Sequence, residues 1–213
     1  MRVNVPGTAD TPGNLKGGVL IVLPPAFGPI VNEDDLPPEP KAREAFLARM
    51  TRKRGLITAA RIDRGPEIQQ ALRWLAAAGF PVAEQAERFS ILNWPTVWDG
   101  RPRDAHVIRE AVTEGKRLVD VIEKRRPILV VFLSSQLLEA ANDPALIERL
   151  ASSIGLPLQP ACRLSDMRLR ILGQRWKRAL MVGLPMPRRT MSMAQSEEIS
   201  SSLRKFFARE GLL

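Results

Sequence analysis

Thiols and imidazoles are nearly missing from this chain. Among 213 residues there is one cysteine, Cys162, and one histidine, His106. A lone cysteine excludes a disulfide framework within the chain, and any structural zinc site or iron–sulfur cluster built from several thiolates. No metal or other cofactor is therefore expected. A lone histidine removes histidine-rich metal centres, and a His–Cys dyad would need the two singletons to meet. Long apolar runs are missing as well. The longest, Val19–Leu23 and Ile128–Leu133, fall far short of the ~20 residues that a membrane span needs. The N-terminus has no charged-then-apolar secretory pattern, so a cytoplasmic protein without membrane association is expected. No glycine-rich phosphate loop is present either, because Gly17-Gly18 precedes the first apolar run instead of following it.

What remains is an ordinary globular balance, 45% hydrophobic and 26% charged, at a length suited to one domain. The net charge is +9, and it is unevenly placed. Between Arg163 and Arg189 eight basic residues face one acid, Asp166, and between Lys41 and Arg64 eight basic residues face Glu44 and Asp63. These windows carry +7 and +6, leaving the rest of the chain at −4. Cationic excess concentrated in this way suits a polyanionic partner, because lysine and arginine displace counterions from phosphates. The alternative is plain solubility.

Residues 1–17, rich in Gly, Pro, Thr and Asp, read as a flexible arm ahead of a single α/β domain at 18–213. Val19–Leu23 is a continuous apolar run, as in a strand buried on both faces, and it stops at Pro24-Pro25-Ala26-Phe27-Gly28-Pro29. Helical spacing follows over Lys41–Lys53 and again from Pro66 to Gly79. Further strands are expected near Arg88–Leu92, Ile128–Leu133 and Ala179–Leu184. A long helix is expected from Asp104 through Ile122, and a terminal one from Ser196. Alternating strands and helices predict a three-layer α/β/α fold around a short, mainly parallel, four-stranded sheet. In such sheets ligands sit beyond the carboxyl ends of the strands. Three of those four ends run into stiff loops: PPAFGP, NWPTVW and PMPRR.

The order of elements and these loops resemble the uracil-DNA glycosylase superfamily, with the single-strand-selective monofunctional branch as the closest. Leu23-Pro24-Pro25-Ala26-Phe27-Gly28-Pro29 is similar to the GMNPGPFGM loop of that branch. Ser90-Ile91-Leu92-Asn93 is similar to its base-reading segment, and Leu184-Pro185-Met186-Pro187-Arg188-Arg189 to its HPSPRN motif. The resemblance implies a DNA-binding protein, acting on single or double strands. Phe27 would stack on an extruded base, Asn93 would read its Watson–Crick edge, and Leu184 would complete the pocket. Arg188 and Arg189 would grip the backbone, helped by Arg52, Lys53 and Arg54.

Each residue also has a plainer reading. Phe27 can fold onto the core, Asn93 can bond its own backbone before Trp94-Pro95, and Arg188-Arg189 can be a solvated pair. The catalytic positions depart from the family. Its water-positioning residue falls on Pro24 or Pro25 and its histidine on Leu184, none of which can orient water or donate a hydrogen bond from its side chain. The resemblance thus implies either a diverged glycosylase with relocated catalysis, for which Glu33, Asp34 and Asp35 are the nearby carboxylates, or a non-catalytic binder. Two other classes fit the same residues: an interaction protein whose basic windows take an acidic partner, and an enzyme on a small nucleotide using the same edge.

Overall fold

The structure is a computed structural model. It describes residues 2–4, 8–10, 16–24, 30–32, 37–43, 45, 66–85, 88–94, 97–98, 104–165, 167–187 and 191–213.

The four apolar runs form the centre of the molecule. Strands β3 (Val19–Leu23), β5 (Phe89–Asn93), β7 (Leu129–Phe132) and β10 (Leu180–Gly183) are parallel and pair in the order β5-β3-β7-β10. Every residue in them is buried, as expected for a parallel sheet covered on both sides. Numbered along the chain, the order is second-first-third-fourth. Strand order therefore reverses between the first strand, β3, and the third, β7, which is where doubly wound sheets open a crevice.

The sheet is larger than the four strands expected from sequence. β2 (Thr8–Asp10) pairs antiparallel with β5 on one side, and β9 (Leu172–Arg175) and β8 (Cys162–Arg163) extend the other side antiparallel, giving seven strands. A second, three-stranded sheet places β1 (Arg2–Asn4) between β4 (Ile30–Asn32) and β6 (Val97–Trp98). Two segments of the stretch read as an arm are thus strands. Their backbone groups are satisfied by partners far along the chain, which local composition does not reveal.

Alternation along each strand builds two cores. Val19, Ile21, Leu23, Phe89, Ile91, Leu129, Val131, Leu180 and Val182 pack on one side against α1 (Pro66–Ala77) and α6 (Met193–Arg209). Leu20, Val22, Leu92, Val130, Phe132 and Met181 pack on the other. There they meet α2 (Asp104–Thr113), α3 (Gly115–Arg125), α4 (Ser135–Ala141) and α5 (Pro144–Ile154). Burying each large side chain of this kind contributes about 1.5–3 kcal/mol, so the two cores carry the three-layer arrangement.

The long helix expected from Asp104 is two helices. The chain bends at Glu114, and a Cβ on Gly115 would lie 2.1 Å from Leu146 Cδ2. A side chain at 115 would force Leu146 to move. The Glu114 carbonyl at the bend accepts from the Arg117 N–H at 3.1 Å and from Trp94 Nε1 at 3.3 Å. Among the described residues, no helix is long and apolar enough to cross a membrane.

Candidate functional site

The parallel register decides which residues share the carboxyl edge. Leu23 pairs with Asn93 and Val22 with Phe132, while Phe132 pairs with Gly183. One step further, the Leu133 N–H donates to the Val22 carbonyl, and the Leu184 N–H to that of Phe132. Leu23, Asn93, Leu133 and Leu184 therefore stand at one level. All four turn to the same face, since the three leucines belong to the α1/α6 core, as do Phe89 and Ile91, which alternate with Asn93.

Asn93 is the exception in that row. It is 8% exposed, and its Oδ1 is fully buried and accepts no hydrogen bond from any described residue. An unpaired buried amide oxygen costs about 1–3 kcal/mol, so the fold gains nothing from it at this position. The group stands one strand from the order reversal, at the carboxyl end of β5. Among the described residues no backbone donor reaches Oδ1, and the residues that follow Asn93 and would close a local turn, 95 and 96, lie outside them.

Leu184 is fully buried in the apolar cluster. Its strand is three steps from that of Asn93, roughly 14 Å at ~4.8 Å per strand spacing. Phe27, Arg188, Arg189, Arg52, Lys53 and Arg54 lie outside the described residues, as do Glu33, Asp34 and Asp35. Trp94 is fully buried, donates to Glu114 and packs against Phe132 with ring centroids 6.3 Å apart. It is a core residue and offers no stacking surface. The Ser134 hydroxyl donates to Gln136 Oε1 at 3.4 Å. Among the described residues, no three His, Cys, Asp or Glu side chains are grouped closely enough to hold a metal ion.

The basic window at Arg163–Arg189 divides in space. Because β9 runs antiparallel to β10, Leu172 lies level with Gly183 and Arg175 level with Leu180. Arg163, Arg168 and Arg170 therefore belong to the carboxyl side, whereas Arg175, Lys177 and Arg178 belong to the opposite side. Several are already engaged. Arg170 pairs with Glu139, Arg163 donates to the Met167 carbonyl, and Arg175 donates to the Glu210 carbonyl.

Sequence reasoning passed over one cation at this edge. Arg117 stands in the first turn of α3, where its backbone N–H shares the Glu114 carbonyl with the Trp94 indole. Its Nη1 is buried without a hydrogen-bond partner among the described residues. Burial pushes its guanidinium below the ordinary arginine value, and neighbouring Glu114 pushes it back up. The available signal was its position, a charged residue one place ahead of the buried pair Leu118-Val119.

Compared with protein-family models and with curated protein sequences, the chain matches none.

Proposed function

We propose that this protein binds DNA at the carboxyl edge of its sheet, with Asn93 reading the hydrogen-bonding edge of an unpaired base and without the standard glycosylase hydrolysis. One observation carries this reading: a buried carboxamide oxygen, unpaired among the described residues, stands at a strand end beside the order reversal of a doubly wound sheet. A carboxamide both donates and accepts in one plane, which is the pattern a base edge requires. Retaining it buried and unpaired makes physical sense if a ligand completes it. The net charge of +9 supports a phosphate-bearing partner. Against hydrolysis stand Leu184 and whichever of Pro24 and Pro25 takes the first-loop position, which supply neither a donor for a departing base anion nor a water-positioning group.

The experiment is binding of single-stranded oligonucleotides, with and without uracil, and of the corresponding mononucleotides, at several salt concentrations. Log affinity for the oligonucleotides falls linearly with log salt if phosphates are contacted. Asn93→Ala then lowers oligonucleotide affinity about tenfold with the salt slope unchanged, because base contacts and phosphate contacts are separate terms. Absence of oligonucleotide binding at low salt overturns the proposal. Binding confined to mononucleotides shifts the reading to a small-nucleotide enzyme.

A further inference from the structure

Helices α1 and α6 run side by side in the same direction. Gln70 Nε2 donates to Ser196 Oγ at 3.4 Å, and seven residues later on α1 the Ala77 carbonyl accepts from Arg204. Between these two clasps lies a cleft of about 430 Å³, within the range of small-molecule sites. Its chemistry differs from that of the sheet edge. Trp74 is 1% exposed, so it forms the floor, and its indole N–H is buried with no acceptor among the described residues. Arg73 stands beside it on the same wall, exposed, with no carboxylate paired to it among the described residues. Arg204 spends one guanidinium donor on Ala77 and keeps the others, and Ser201 adds a hydroxyl one turn before it. Glu197 sits nearer the opposite clasp.

We infer that this cleft is a second binding site, taking a small phosphomonoester whose phosphate lies between Arg73 and Arg204 and whose hydroxyl-bearing body lies toward Glu197. Two guanidinium groups and a hydroxyl offer more donors than a carboxylate can accept, whereas a phosphate has three terminal oxygens. The Trp74 N–H lacks an acceptor among the described residues, and a ligand oxygen that settles onto the cleft floor and displaces its cover would supply one. Glu197 disfavours a second anion at its end and accepts from sugar hydroxyls instead. The polarity of the site is thus built in.

The test is calorimetric titration of the full chain with ribose 5-phosphate, ribose and inorganic phosphate. The sugar phosphate binds most tightly, inorganic phosphate about tenfold more weakly, and ribose not detectably. Arg73→Ala, an exposed side chain on which no described contact of the fold depends, lowers sugar-phosphate affinity about tenfold or more. Trp74→Phe keeps an aromatic ring on the floor, removes the donor and lowers affinity several-fold. Asn93→Ala leaves it unchanged, which separates this site from the sheet edge. Equal binding of ribose and ribose 5-phosphate overturns the inference. So does unchanged affinity in Arg73→Ala, loss in Asn93→Ala alone, or no heat at millimolar sugar phosphate.

Discussion

Two carboxamides are buried in the same sheet, and they are treated in opposite ways. Gln174, in β9, is 1% exposed and fully bonded. Its Oε1 accepts from Asn142 Nδ2 and Trp176 Nε1, both at 3.0 Å, while its Nε2 donates to Asn142 Oδ1 at 2.7 Å and to the Gln159 carbonyl at 3.3 Å. Both N–H groups and both lone pairs are used. Asn93, at the end of β5, has a buried oxygen that no described residue reaches. The first amide holds an outlying antiparallel strand against α4 and the chain that follows. The second has an oxygen that holds no described residue. A buried polar group that stabilises its own fold has a structural explanation, and one that does not calls for a ligand.

That contrast can be broken by substitution. Gln174→Leu strands the Trp176 indole and half of the Asn142 amide, and should cost about 2–4 kcal/mol, read from the urea midpoint at unchanged m-value. A cost below about 0.5 kcal/mol would remove the structural role assigned to the network. The reciprocal pair sharpens the point. A double-mutant cycle with Asn142→Ala and Gln174→Leu should show a coupling of about 1–2 kcal/mol, because each single change already destroys the shared bonds. Additive losses would mean that the two amides act independently. The smallest effect has the opposite sign. Asn93→Leu, nearly isosteric, should stabilise the protein by about 1 kcal/mol while weakening oligonucleotide binding. A loss of stability there would mean that Asn93 is a structural residue after all.

The comparison also explains what was legible in the sequence. The parallel strands were readable because Val19–Leu23 and Leu129–Phe132 are apolar at every position, which only burial on both faces requires. Leu172-Gly173-Gln174-Arg175 was not readable as a strand. It holds a glycine with Leu164 and Phe206 pressed against it, and a glutamine whose main partner, Asn142, lies 32 residues away. Likewise Asn93 could be placed at a strand end from sequence, but its unpaired oxygen could not, because satisfaction depends on every neighbour at once. The sequence shows the succession of strands and not their lateral order, so the spacing between Asn93 and Leu184 was not legible in it. With β3 and β7 between them, the two residues stand at opposite ends of the parallel core.

The parallel connectivity has an electrostatic corollary. Helices α1, α3, α4 and α6 each begin on the carboxyl side of the sheet, where strands hand the chain over, and finish toward the opposite side. Their peptide dipoles are therefore co-oriented, with the positive ends toward the rim that holds Asn93. This backbone field survives any side-chain substitution. Variants stripped of rim arginines should keep a residual, salt-sensitive attraction for anions, and that remainder sets the baseline against which each lost guanidinium is measured.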